Sequence, residues 1–103
     1  MIQVTVFYPY QPGKSFDMEY YVNRHIPMVK EKLGEACKSA SVLKGVACIP
    51  PGTPPVYTAM TLFTFESIDT FRQAFNPHAE TIMADRTNYT TIQPIIQIDE
   101  IKL

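Results

Sequence analysis

Residues 2–34 read IQVTVFYPYQPGKSFDMEYYVNRHIPMVKEKLG, and the hydrophobic period changes partway along. Ile2, Val4, Val6 and Tyr8 alternate with Gln3, Thr5 and Phe7, the period-two signature of a strand. Pro9, Pro12 and Gly13 end it in turn residues. Asp17 stands where an N-cap belongs. From there Met18, Val22, Ile26, Val29 and Leu33 fall on one stripe at about 100° per residue, as on a helix. Gly34 is placed to stop that helix.

Working outward, residues 39–49 (SASVLKGVACI) predict a second strand with Gly45 marking a bulge. The run Pro50-Pro51-Gly52-Thr53-Pro54-Pro55 can be neither helix nor central strand, so it predicts a hairpin-type connection. Residues 56–66 (VYTAMTLFTFE) are rich in β-branched and aromatic types, with apolar groups at both parities, which suits a strand covered on both faces. Ser67 caps a second helix on which Phe71, Phe75, His78 or Ala79, and Ile82 share a face. Asn76-Pro77 interrupts it and predicts a kink or two abutting helices. Residues 90–103 predict a last strand with Pro94 near its beginning. The order βαββαβ is the ferredoxin-like α+β arrangement, a four-stranded antiparallel sheet with two helices on one face. Strands one and three carry apolar groups on the uncovered face too, so a homodimer packed sheet on sheet is expected.

The 103 residues suit one domain, 1–103, and a composition 46% hydrophobic and 18% charged is that of a folded chain. Nine Lys and Arg against ten Asp and Glu leave a net charge of −1 with no basic stripe, which argues against nucleic-acid binding. No apolar run approaches the roughly 20 residues of a membrane span, and Met1-Ile2-Gln3-Val4 begins directly in an alternating pattern unlike a signal peptide. Cys37 and Cys48 are the only thiols, and in an unexported chain such a pair reads as two reduced, partly buried cysteines. A cytoplasmic protein is expected.

Chemistry has few places to reside. Serine-nucleophile motifs, phosphate-binding glycine loops and zinc spacings are absent, and neither cysteine has a cue for a lowered pKa. Acid–base work by histidine is what the inventory readily supports. His25 follows Tyr21 by four residues, so both lie on one flank of the helix. Pro27, two residues on, deletes a hydrogen bond and clashes with the carbonyl of Asn23, at a cost of about 3 kcal/mol. A kink there opens room beneath the helix, beside an imidazole. The alternative is a helix-edge histidine bonded to a carbonyl, with Pro27 bending the helix around the core. His78 follows Pro77 on the face of Phe71 and Phe75, and both helices could direct their histidines into one cavity. Asp17, Asp85 and Glu80 are carboxylates that could orient an imidazole, although Asp17 already suits an N-cap. Phe63, Phe65, Phe71, Phe75, Met60 and Met83 are candidate pocket walls, most of them equally at home in a core.

The stretch Phe16-Asp17-Met18-Glu19-Tyr20-Tyr21-Val22-Asn23-Arg24-His25-Ile26-Pro27-Met28-Val29 resembles the hallmark helix of the EthD family, named for ethyl tert-butyl ether degradation. A second block is similar too: Phe75-Asn76-Pro77-His78-Ala79-Glu80, Met83-Ala84-Asp85, Asn88-Tyr89-Thr90 and Ile92-Gln93-Pro94-Ile95-Ile96-Gln97-Ile98. The likeness runs from Ile2 to Leu103. It implies a dimeric α+β barrel and an association with oxidative degradation pathways, where the family is often placed near oxidoreductases. Relatives on this fold include cofactor-free monooxygenases, polyketide cyclases, lactone isomerases and haem-degrading enzymes, among which fold does not choose. Haem-degrading relatives use a helix-two histidine, for which His78 would be the candidate, with a tryptophan and a strand-one asparagine. This chain has no tryptophan and offers Gln3 and Thr5 in strand one, so haem degradation is disfavoured and haem binding left open.

The resulting expectation is a small-molecule enzyme acting on an aromatic or carbonyl compound, with His25 as general acid/base, Tyr21 its hydrogen-bonding neighbour and His78 orienting the ligand. Phe63, Phe75 and Met60 would contact the substrate, with no metal and no cofactor required. A non-catalytic ligand-binding or accessory protein of a monooxygenase system is the competing expectation. A structural dimer with a fully packed core is the third.

Overall fold

In the computed structural model, which describes residues 1–103, strands β1 (Ile2–Pro9), β2 (Ser39–Lys44), β3 (Tyr57–Phe65) and β4 (Ile95–Glu100) form one sheet in the order β2-β3-β1-β4. Every pairing is antiparallel. Helical segments connect β1 to β2 and β3 to β4, which is the ferredoxin-like arrangement that the element order predicts. Val4 stands opposite Phe63 and Ile98, and Val6 opposite Thr61 and Ile96. Since side chains alternate along a strand, these residues share the face toward the helices. Ile2, Val4, Tyr8, Ala59, Phe63 and Phe65 are buried there with Ile26, Val29, Leu33 and Ile82 of the helices. Gln3, Thr5, Phe7, Met60, Leu62 and Ile95 belong to the other parity and point away from the helices.

The first helix is continuous: an α turn Met18–Tyr20, a wider π turn Tyr21–His25 and an α segment Ile26–Leu33. Asp17 caps it, Oδ1 accepting from Tyr20 N at 3.0 Å. Within the wide turn the N–H of Ile26 donates to the Tyr21 carbonyl, five residues back. The break expected at Pro27 is absorbed there. Proline's missing donor and its ring's clash fall where the α ladder is already interrupted, so the rod does not part. Gly34, at φ +63°, ends the helix in a conformation that side chains rarely adopt.

The second helical run is α over Ile68–Phe75, tightens to a 3-10 turn at Asn76–His78, resumes as α over Ala79–Ala84 and ends in a 3-10 turn, Asp85–Asn88. The Ser67 cap is present, its Oγ accepting from Thr70 N at 3.1 Å. Two strands are shorter than the sequence suggests. β2 stops at Lys44; the N–H of Gly45 still donates to Thr58 O at 2.9 Å, in contact so close that a Cβ would strike the Tyr57 carbonyl. Beyond it the chain leaves the sheet, and Cys48 bridges only to Thr53. β4 begins at Ile95 instead of residue 90, because Pro94 has no donor for the ladder. Ile92 is nonetheless buried ahead of the strand, its N–H donating to Thr90 Oγ1 at 3.1 Å. No helix is long and apolar enough to cross a membrane.

Candidate functional site

The π turn presents Tyr21 and His25 inward together, 1% and 5% exposed. Their rings stack with centroids 5.2 Å apart and 18° between planes. Tyr21 is anchored to the sheet by a hydrogen bond between its hydroxyl and Thr61 Oγ1. His25 is held from the other helical run: Nδ1 lies 2.9 Å from Asp85 Oδ2. Asp85 begins the 3-10 turn after Ala84 and collects two further donors, the Tyr20 hydroxyl and Asn88 Nδ2, each 2.8 Å from Oδ1. The carboxylate therefore ties the two helical runs together.

Protonation follows from these contacts. Partial burial pushes the Asp85 carboxyl up, but the hydrogen bonds from Asn88, His25 and Tyr20 outweigh it and hold the group below the usual carboxylate range. Burial pulls the His25 imidazole below its ordinary value, against the opposing pull of Asp85. An ionised carboxylate only accepts, so Nδ1 carries the proton and Nε2 offers a lone pair. Nε2 lies 3.4 Å from the Tyr89 hydroxyl, which in turn lies 2.6 Å from that of Tyr8. Burial raises the pKa values of Tyr8, Tyr21 and Tyr89, so these hydroxyls keep their protons and can donate.

The group opens on a cavity of about 250 Å³ between helices and sheet. His25, Tyr21, Tyr8 and Tyr89 line one part of it, and its apolar walls include Phe63 and Phe75. The core is thus not filled, unlike that of the purely structural dimer.

Two expected residues lie elsewhere. His78 is half-buried in the 3-10 turn after Phe75, makes no side-chain hydrogen bond and does not line the cavity. The tightened turn at Asn76-Pro77 rotates it off the face that Phe71 and Phe75 present, and the two histidines do not meet in one pocket. Met60 pairs with Phe7 on the sheet face turned away from the helices, because its parity is opposite to that of Phe63. With His78 outside, the cavity has no helix-two histidine for a haem iron. No three His, Cys, Asp or Glu side chains cluster as metal ligands.

Four cavity residues were not singled out for chemistry by sequence reasoning: Tyr8, Tyr89, Arg72 and Arg86. Tyr8 read as the last apolar position of a strand, and its partner Tyr89 lies 81 residues away. The arginines carry no motif; the available hint was Arg72 one residue after Phe71 and four before Asn76, on the flank of an inward-facing helix.

The comparisons agree with this architecture. The EthD domain matches residues 13–93. An EthD-like protein from Ralstonia eutropha is 44% identical with a TM-score of 0.95, covering 99% of this chain and 92% of its own. An ethyl tert-butyl ether degradation family protein from Bacillus halodurans is 19% identical with a TM-score of 0.74, at 99% coverage of both chains. A Bordetella bronchiseptica protein provisionally named an antibiotic biosynthesis monooxygenase shares the fold at 17% identity and a TM-score of 0.61, over 99% of this chain and 97% of that one. No curated protein matches the chain. The family match over most of the sequence and the relative at 44% identity establish that this chain belongs to the EthD family.

Proposed function

We propose that the protein binds a small aromatic or carbonyl compound in this cavity and moves a proton on it with His25. The carrying observation is the buried imidazole, fixed through Nδ1 to Asp85 with Nε2 beside the Tyr89 hydroxyl. In this reading Nε2 takes a proton from an acidic C–H or O–H of the ligand. Tyr89 or Tyr8 donates to the oxygen on which charge develops, and the cavity's apolar walls strengthen that interaction. Tyr21 positions His25 by stacking on it. Asp85 orients the ring and stabilises its protonated form. The name of the Bacillus relative supports a place in degradation and that of the Bordetella relative supports oxidative chemistry, each at the level of a class.

The working form is proposed to be a cytoplasmic homodimer of one domain, residues 1–103. Leu43 and Ile95, on the sheet face turned away from the helices, are about half exposed, and Val46 and Ile49 in the β2–β3 connection are 85% and 96% exposed. A second copy is the simplest cover for so much apolar surface.

The test needs no knowledge of the natural substrate. Exchange of the α-hydrogens of 2-tetralone in D₂O, followed by proton NMR, is expected to be accelerated by the protein and to fall about 10²- to 10⁴-fold in His25→Asn, the range general acid–base catalysis supplies. Exchange equally fast in that variant removes His25 from the role. Saturable binding with no exchange in either protein favours the accessory-protein reading.

A further inference from the structure

The cavity holds two positive side chains and no negative one. Arg72 and Arg86 line it, and no Asp or Glu does. The chain's two ion pairs are His25–Asp85 and Lys102–Glu100, so neither guanidinium has a carboxylate partner. Arg86 is half-buried and uses Nη1 alone, which donates to the carbonyls of Ile92 at 3.2 Å and Thr90 at 3.4 Å. Those two bonds fix the guanidinium plane while Nη2 and Nε make none. Arg72 sits one helical turn before Asn76, whose side chain also lines the cavity and also makes no hydrogen bond.

Charges facing an apolar cavity are normally paired, since an unpaired one loses hydration without compensation. Half-buried Arg86 has two carbonyls and no carboxylate, while Arg72 keeps contact with solvent. The free Nε and Nη2 of Arg86 form a planar fork suited to two oxygens held by one carbon. The apolar walls require the rest of the molecule to be hydrocarbon in character.

We infer that the ligand is an organic carboxylate with a small aromatic or alicyclic body, its carboxylate held by Arg72 and Arg86 and its body lying toward His25. This rests on the proposed use of the cavity and names its substrate class. Orientation is the consequence: anchoring the carboxylate fixes which atom of the body meets Nε2.

The probes are 1-naphthoate and its neutral analogue 1-naphthamide. The chain has no tryptophan, so naphthyl fluorescence excited beyond tyrosine absorption reads binding directly. The intact protein is expected to bind naphthoate about ten-fold or more tighter than naphthamide at low salt, the preference shrinking as salt is added. Arg72→Gln and Arg86→Gln should each weaken naphthoate several-fold and leave naphthamide unchanged, while His25→Asn keeps the preference. Arg72 is exposed, so its variant remains informative even where Arg86→Gln, which loses two backbone contacts, fails to fold. Equal affinities for the two probes overturn the carboxylate assignment and leave the histidine chemistry standing. A preference that survives Arg72→Gln in a folded protein also overturns it. Binding of neither probe overturns it together with the use of the cavity.

Discussion

At His25 two forces oppose each other, and their balance sets a pH dependence. Burial disfavours the imidazolium, Asp85 favours it, and burial prevails, so the folded-state pKa lies below the ordinary histidine value of 6.5. The unfolded chain then takes up the proton first on acidification. The stabilisation from keeping His25 neutral is complete above about pH 6.5 and is lost as pH falls through the lowered folded value. Asp85 is lowered as well, so its contribution is present above the ordinary aspartate value of 3.8 and fades only at lower pH. Melting followed by circular dichroism is therefore expected to show the wild-type Tm falling between pH 7 and pH 5, and His25→Asn to flatten that slope. A wild-type Tm that rises toward pH 5 would contradict the assignment. That His25 and Tyr21 belong together was legible from their spacing of four beside Pro27. That the imidazole meets Asp85 was legible only as one of three carboxylate candidates. Sixty residues separate the pair, and the contact exists because two helical runs converge, which no local period encodes.

At the scale of elements, caps and breakers were readable because each acts within one turn: Asp17, Gly34 and Ser67 stand where their chemistry predicts. The π turn was not readable. Pro27 announced a disturbance, but a kink and a widened turn answer the same missing hydrogen bond, and packing against the sheet decides between them. The same limit applies to β4, where five isoleucines between 92 and 101 and Leu103 suggested one long strand. Pro94 divides them, leaving Ile92 to reach the core from a loop. The π turn carries one residue more than an α turn would, and Asn23 within it is exposed. Deleting Asn23 lets the segment close with α hydrogen bonds, with the helix on either side in place, but brings Tyr21 and His25 from four residues apart to three. The variant is expected to melt cooperatively while ketone α-exchange drops about 10²-fold, the penalty of an ångström-scale misplacement. Full exchange activity in a folded deletion variant would show that the wide turn has no positioning role.

The whole molecule exposes more surface than its mass warrants. Its accessible area is 6621 Å², against about 5,900 Å² for a compact monomer of this mass. Its radius of gyration is 14.1 Å, against about 13 Å expected for this length. The excess area, about 700 Å², is close to the ~800 Å² each partner contributes to a standard interface. Part of it comes from the β2–β3 connection, where Val46, Ile49 and Val56 stand exposed. The sheet face turned from the helices adds Leu43 and Ile95 beside half-buried Met60 and Leu62. The expectation of a second copy came from apolar residues at both parities of β1 and β3, and the observed registers place the outward ones, Phe7, Met60 and Leu62, on one continuous face with Leu43 and Ile95. Leu62 lies near its middle, opposite Thr5 on β1 and Ser41 on β2, and it takes no part in lining the cavity. Light scattering during size exclusion should give the wild-type protein twice the mass of its 11.7 kDa chain. Leu62→Lys should give the single mass with an unchanged far-ultraviolet spectrum, because a buried lysine facing its own symmetry mate brings two like charges together without solvent. A wild-type protein of single mass at micromolar concentration would refute the dimer. A Leu62→Lys protein that stays dimeric would move the interface off this face and onto the exposed β2–β3 connection.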